Sequence, residues 1–346
     1  MPVPYRVLAI DGGGIRGIIP AAVLADLERR IAPRALAELF DLIVGTSTGG
    51  ILALALAVPD GGRPRHTAER LLGLYESEAQ IIFPGGGPQT LTQRVFGTRD
   101  AGAWFRDPVE WLLRRSSQQQ ASRGARYPLE GLERVLEHYL GDVPLAEAVA
   151  DVIVTSYDMA YREPVMFSSR ERAGFVTDVS MLVAARATSA GPTYFEPQAI
   201  SSAGRERVLI DGGVYVNNPS VLGYLLGNEA AGGDRPLVLV SLGTGTRPPR
   251  SAASAEELRT DDSMVLAQAL LEAVARGGGA MGDALLAGLS DGERFRYWRI
   301  QTDVGTCSFA MDDSRPENVA CLVARGRELT RERGDDLEAI AAAVAG

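Results

Sequence analysis

The sequence predicts an α/β fold, a mainly parallel central sheet flanked by helices. Three observations predict it. Short apolar runs alternate with helix-like stretches along the 346 residues. A serine lies in G-x-S-x-G between one apolar run and another, which reads as strand, sharp turn and helix. A triple glycine lies at a second junction of the same kind. Open α/β sheets bind ligands at the carboxyl ends of their strands, where both motifs fall.

The first run, Tyr5-Arg6-Val7-Leu8-Ala9-Ile10, leads into Asp11-Gly12-Gly13-Gly14-Ile15-Arg16-Gly17. A helix follows, with Pro20 near its start and an apolar stripe at Val23, Leu24, Leu27 and Ile31. A glycine loop entering a helix offers backbone N–H groups to an anion, either a phosphate or the oxyanion of a tetrahedral intermediate. Gly12, Gly14 and Gly17 also fit the G-x-G-x-x-G dinucleotide pattern, a weak signal on its own. Next, Phe40-Asp41-Leu42-Ile43-Val44 enters Gly45-Thr46-Ser47-Thr48-Gly49, and Ile51 to Leu56 reads as the helix behind it. The glycines permit the tight turn, and the helix start offers free N–H groups and a positive dipole end. Ser47 is therefore the candidate nucleophile.

Its base is not a histidine of the usual order. The two histidines are His66, in a loop before a helix, and His138, near the end of the helical run Leu132 to Leu140. Both read as surface or helix-end residues. A carboxylate then has to serve as base. Asp211, after Val208-Leu209-Ile210 and before Gly212-Gly213, is the candidate, although Asp-Gly-Gly also suits a plain turn. The runs Val7–Ile10, Leu42–Val44, Val152–Thr155, Val208–Ile210 and Leu237–Val240 read as parallel strands buried on both faces.

Beyond these lie less regular stretches. The region of Ile81, Ile82, Phe83, Val95, Phe96, Trp104 and Phe105 reads either as an ordinary surface connection or, being apolar for an irregular region, as a lid or lipid-contact surface. Ser116 to Gln120 reads as a loop, and Arg247 to Ser254 as a flexible junction. Helical stretches are expected from Met264 to Ala275 and from Met281 to Leu289, separated by Gly277-Gly278-Gly279. A strand is expected at Phe295 to Ile300 and an alanine-rich helix from Glu328 to Val344. This last third carries no legible catalytic pattern.

Composition removes several classes. All 35 basic residues are arginine, which excludes a P-loop lysine, a Schiff base and a Ser-Lys dyad. The net charge of −9 argues against DNA or RNA as a partner. No His/Cys cluster has zinc spacing and no EF-hand loop is present, so neither metal nor cofactor is expected. Cys307 and Cys321 are too few for a disulfide framework, and a reducing cytoplasm is the expected location. The stretch from Phe40 to Val58 contains Asp41 and the polar elbow, which favours strand plus core helix over a membrane span.

Together the three segments resemble the patatin-like phospholipase family, which carries a G-G-G-x-R/K-G oxyanion loop, a G-x-S-x-G nucleophile and a D-G-G/A base motif in this order. Ala187 to Phe195, Asn217-Asn218-Pro219 and Ser241-Leu242-Gly243-Thr244-Gly245 add to the likeness. Gly191 departs from it, since alanine is more usual there. The resemblance covers most of the chain. It implies one three-layer domain over 1–346, with a core of about 5–245 and an extension at 246–346 packed on or covering it. It also implies a Ser47–Asp211 dyad, with Gly12, Gly13, Gly14 and Arg16 forming the oxyanion loop, and Asp11 bracing that loop. The substrate would be a phospholipid or related lipid ester, met at a membrane surface, on the inner face for a cytoplasmic protein. Ile18-Ile19-Pro20-Ala21-Ala22 is similar to bacterial members, some of them effectors switched on by cyclic dinucleotides; such an activator is the partner this suggests. The rival reading is a nucleotide-binding protein that uses Asp11–Gly17 for phosphate. Oligomeric state and head-group preference stay open. A dyad without histidine also predicts that no pH-rate break near 6.5 arises from an imidazole.

Overall fold

The computed structural model describes residues 2–86, 125–202, 204–247 and 263–346, with side chains from 273 in the last stretch (275 and 276 aside). Expectations for Val95, Phe96, Trp104, Phe105, Ser116 to Gln120 and the junction after Arg247 lie outside these residues.

Among the described residues, ten strands occur in order. They are β1 (Tyr5–Ile10), β2 (Leu42–Thr46), the small hairpin β3 (Pro59–Asp60) and β4 (Arg63–Pro64), β5 (Asp151–Asp158), β6 (Glu163–Ser168), β7 (Gln198–Ser202), β8 (Arg205–Asp211), β9 (Leu237–Leu242) and β10 (Phe295–Ile300). The helices are α1 (Ile18–Ile31), α2 (Thr48–Ala57), α3 (Ala68–Ile82), α4 (Leu129–Leu140), α5 (Met181–Thr188), α6 (Ser220–Ala231), α7 (Ser263–Leu289), α8 (Pro316–Glu332) and α9 (Gly334–Ala345). One sheet runs β10-β9-β1-β2-β5-β8-β7, with β6 also on β5.

Apolar residues on both faces of the strands explain the three layers. In β1, Leu8 and Ile10 join the larger core beneath α1, α2, α3 and α5, while Val7 and Ala9 join a second core. That second core lies against α6, which packs on β1, β2 and β9. The strands β10, β9, β1, β2 and β5 are mutually parallel. Because β1 has β2 on one side and β9 on the other, the strand order switches at β1, where α/β sheets open a crevice.

Three expectations need correction. The Val208–Ile210 strand is not parallel: β8 pairs antiparallel with both β5 and β7, because β7 and β8 form a hairpin that returns toward the sheet. Gly277-Gly278-Gly279 does not interrupt a helix, and α7 runs through it for 27 residues. Glycine costs roughly 1 kcal/mol relative to alanine without forbidding a helix, and α7 packs on α6 and β10. The stretch Glu328 to Val344 is two helices, α8 and α9, which break at Arg333-Gly334.

A fourth correction concerns Cys307 and Cys321, which form a disulfide. Cys307 precedes α8 and Cys321 lies on it, which brings their Cα atoms to 5.6 Å. Two cysteines, too few for a framework, still form one bond, so cysteine usage no longer points to a reducing cytoplasm. Among the described residues, no helix is long and apolar enough to cross a membrane.

Candidate active site

Strand register builds the site. Along one edge of β5, β2 ends with Thr46 opposite Thr155, and β8 ends with Asp211 opposite Ser156, the next residue. β6 pairs with Ile153 to Asp158 and so occupies the other edge. The ends of β2 and β8 therefore abut, although the strands arrive from opposite directions. Ser47 follows the first end and Asp211 is the second. Asp211 still reaches the edge that its expected parallel strand would have supplied.

The turn at Ser47 is strained by design. Its φ of 55° and ψ of −124° lie where a residue with a side chain is rarely found, at a cost on the order of 1–3 kcal/mol. Ser47 N–H donates to Thr188 Oγ1 at 2.9 Å, and Ser47 C=O accepts from Ile51 N–H at 3.0 Å. Thr46 Oγ1 lies 2.8 Å from Thr155 Oγ1 and donates to Val216 C=O at 2.8 Å. These bonds fasten both sides of the elbow. Gly49 is required for a different reason: a Cβ there would lie 2.2 Å from the Ile10 carbonyl oxygen, so α2 could not approach β1.

Asp211 is 9% exposed. Its carboxylate accepts Gly213 N–H at 2.7 Å, and the Ser47 side chain lies on the same cavity wall. Burial pushes its pKa up from 3.8 to about 6, against the opposing pull of the nearby Ser47 hydroxyl and of Gly213 N–H. A Cβ on Gly191 would meet Asp211 Oδ2 at 3.8 Å, an ordinary contact, so the alanine usual at this position would fit.

The glycine loop lies against Ser47. A Cβ added at Gly12 would be 3.2 Å from Ser47 Cβ and 2.5 Å from Asn217 Oδ1, which leaves no room for a side chain. Gly12 N–H is already committed, since it donates to Asn217 C=O at 3.0 Å. This revises the expectation that Gly12 shares in the oxyanion donors. Gly13 and Gly14, which line the cavity, have N–H groups with no acceptor among the described residues. The Gly12 carbonyl is held by Thr244 Oγ1 at 2.7 Å and Asn217 Nδ2 at 3.3 Å. Arg16 is buried; its guanidinium donates to Gly245 C=O at 3.1 Å and stacks 3.9 Å from the Phe309 ring centre. That geometry holds the loop against the turn after β9. Asp11 is buried and paired with Arg299.

Ser47, Asp211, Gly13, Gly14 and Arg16 line one cavity of about 390 Å³. Phe83, Pro192, Tyr194, Phe195, Phe309 and Met311 give it apolar walls, suited to a hydrocarbon chain. Neither histidine lines it. His66 is not a surface residue: it is buried, and Nε2–H donates to Tyr139 C=O at 2.7 Å. Among the described residues, no group of three His, Cys, Asp or Glu side chains could hold a metal.

Sequence reasoning missed several residues of the site. Thr188 and Asn217 lay in segments already singled out, but nothing local revealed whose backbone they would bond. Phe309, Met311, Asp283 and Arg299 come from the last third. The one signal for Arg299 was a charged side chain in a short strand whose two ends, Phe295 and Ile300, are buried.

The patatin-like phospholipase family model matches residues 8–221. Patatin-like protein 2 of Arabidopsis thaliana is 29% identical, over 94% of this chain and 83% of that protein. Patatin-17 of Solanum cardiophyllum is 30% identical over 94% and 83%. Patatin-like protein 2 of Oryza sativa subsp. indica is 34% identical over 62% of this chain, which corresponds to about half, 51%, of its own length. Among solved structures, human GIVD cytosolic phospholipase A2 in complex with methyl γ-linolenyl fluorophosphonate aligns with 99% of this chain and 59% of its own, at 14% identity and a TM-score of 0.45. The family-model match spans more than half of the residues, including the glycine loop, the elbow and Asp211, and the chain belongs to the patatin-like phospholipase family.

Proposed function

We propose that this protein is a lipid acyl hydrolase in which Ser47 and Asp211 act as a catalytic dyad. One observation carries the reading: the abutting ends of β2 and β8 bring a strained serine against a buried carboxylate of raised pKa. Ser47 Oγ attacks the ester carbonyl and its proton passes to Asp211. The carbonyl oxygen, now negative, takes the N–H groups of Gly13 and Gly14. Collapse returns the proton from Asp211 to the leaving alcohol and leaves an acyl-Ser47. Water then attacks with Asp211 again as base, which restores Ser47.

A carboxylate is a weak base for an alcohol, and a pKa of about 6 only narrows the gap. The remainder falls to oxyanion stabilisation, where one donor contributes roughly 3–4 kcal/mol in serine hydrolases. Two fixed amides supply an effect of the required size. The phosphate-cradle alternative gains no support, because it leaves the strained Ser47 and the buried Asp211 on the cavity wall without a use.

A fluorophosphonate probe tests the dyad: a mass adduct on Ser47, absent in Ser47→Ala, is expected. Adduct formation elsewhere, or unimpaired turnover in Ser47→Ala, would overturn it. Finer points belong to a lipid panel. Phospholipid against glycolipid reads the head group, and vesicles against monomeric lipid read contact with a membrane surface. Addition of cyclic dinucleotides reads the activation that the opening segment suggests.

A further inference from the structure

The chemistry proposed above gives Asp11 nothing to do, yet Asp11 is buried and bonded more heavily than a loop residue needs to be. Arg299 Nη1 donates to its Oδ1 at 3.0 Å, and Arg299 Nη2 to its Oδ2 at 2.5 Å. The partners are 288 positions apart. Arg299 sits on β10, opposite Ser241 of β9, and also donates to Ser241 Oγ at 2.7 Å. Its Nε lies 3.1 Å from Asp283 Oδ2 on α7. The other oxygen of Asp283 accepts from Asn218 Nδ2 at 2.8 Å and Tyr297 OH at 2.7 Å. Asn218 follows Asn217, the residue that holds Gly12 by its carbonyl and its side-chain amide.

One guanidinium thus grips the glycine loop twice, directly through Asp11 and indirectly through Asp283, Asn218 and Asn217. We propose that Arg299 is a positioning residue for the oxyanion loop, acting through Asp11 and Asp283. The proposal rests on the Ser47–Asp211 reading, since a loop that binds no oxyanion needs no such alignment.

The chemistry calls for arginine. Its planar fork meets both oxygens of Asp11, while its Nε side faces Asp283 in an ion pair without a hydrogen bond; an ammonium group offers no such geometry. Without the guanidinium, Asp11 is a buried carboxyl with no cation bonded to it. It then takes up a proton or draws in water, and in either case the two-pronged clamp is gone. Amide donors stabilise an oxyanion only when aimed where its charge develops, so a shift on the order of 1 Å at Gly13 and Gly14 is felt in the rate. The clamp comes from outside residues 8–221, the stretch matched by the family model.

The test uses the full chain, a short-chain soluble ester and a trifluoromethyl ketone that forms a tetrahedral adduct with a serine. Arg299→Gln is expected to lower kcat about 100-fold, the scale of one lost oxyanion donor, with KM within about threefold. Fluorophosphonate labelling rate and affinity for the ketone should fall by the same factor. Arg299→Lys should recover only part of the loss. In Arg299→Ala, added guanidinium should restore kcat where ammonium does not. A folded Arg299→Gln with kcat near wild type, or with only KM altered, overturns the proposal. Should Arg299→Gln fail to fold, Asp283→Asn decides: it keeps the Asp11 pair and is expected to lose about fivefold in kcat at constant KM, and no loss overturns the proposal. Wild type that neither labels nor turns over ends the dyad reading and this one together; a labelled wild type with an unimpaired Arg299→Gln ends only this one.

Discussion

The nucleophile elbow and the C-terminal third meet at one cavity but are built by different means. The elbow is made of backbone. Gly49 lies where a Cβ would strike Ile10, Ser47 is turned to a φ of 55°, and the parts lie within a few residues of one another. The C-terminal contribution is made of side chains: Arg299, Asp283, Phe309 and Met311 reach a cavity whose glycine loop and elbow lie more than two hundred positions earlier. Backbone geometry restricts residue type at fixed spacing and leaves a readable signature. Long-range side-chain contacts leave none in a single sequence.

Breaking the elbow should have the largest effect. If Ser47 is the nucleophile proposed, Ser47→Ala is expected to remove turnover by a factor on the order of 10^6, the scale measured for the catalytic serine of a serine protease, while the protein still melts cooperatively. Gly49→Ala is expected to fail earlier, at folding, because its Cβ would meet backbone rather than a movable side chain. A soluble, folded Gly49→Ala with normal kcat would show that the approach of α2 to β1 is not needed.

Asp211→Asn sharpens the comparison, because it should separate activity from stability. Activity is expected to fall about 10^3- to 10^4-fold through loss of the base. Stability should move the other way at neutral pH. The folded pKa of about 6 stands above the ordinary 3.8, so Asp211 contributes stability that is fully present below about pH 4 and lost as pH rises through 6. A gap of roughly 2 in pKa corresponds to on the order of 3 kcal/mol at most. Urea unfolding at pH 8 should find Asp211→Asn more stable than wild type, and at pH 4 the difference should vanish. In wild type, kcat/KM should rise with pH to a plateau above about 6. Equal stability at both pH values would mean that the carboxyl is not buried as described.

Much of the fold and the centre of the candidate site were therefore legible in the sequence. The alternation of apolar runs located β1, β2, β5, β8 and β9, and the three glycine-containing motifs located the loop, Ser47 and Asp211. The direction of β8 was not legible, because an apolar run reads the same whichever way its neighbour points; only the hairpin with β7 decides it. Gly277-Gly278-Gly279 misled because glycine weakens a helix without forbidding one. The commitment of Gly12 N–H to Asn217 was hidden because it joins residues 205 positions apart. The buried state of His66 was hidden too, since its partner carbonyl lies on α4.

The disulfide gives a smaller, graded test on the side-chain half of the molecule. Cys307–Cys321 closes a short loop that contains Phe309 and Met311, and Met311 C=O accepts Ile15 N–H at 2.8 Å. For a loop of about 15 residues, closure contributes roughly 3 kcal/mol. Replacing both cysteines with serine should lower unfolding stability by about 2–3 kcal/mol. It should also affect esters of long acyl chains more than short ones, because the loosened segment is an apolar wall. Equal losses for both chain lengths would remove Phe309 and Met311 from the acyl site.

The smallest effect is expected at the histidines, and it matters most for the choice of base. With Asp211 at about 6, a break in the pH-rate profile near that value is expected whether or not an imidazole takes part, so the profile alone does not distinguish the two. Replacement does. His138 is on α4, away from the cavity lining, and His138→Gln should leave kcat/KM within about twofold. His66 is buried, and burial lowers its pKa below the ordinary 6.5, which favours the neutral ring that donates to Tyr139 C=O. His66→Gln should then cost about 1–2 kcal/mol of stability, through a poorly replaced buried hydrogen bond, with kcat and the break near pH 6 unchanged. If either variant stays folded but loses turnover or moves that break, a histidine has reached Ser47, and Asp211 is not its base.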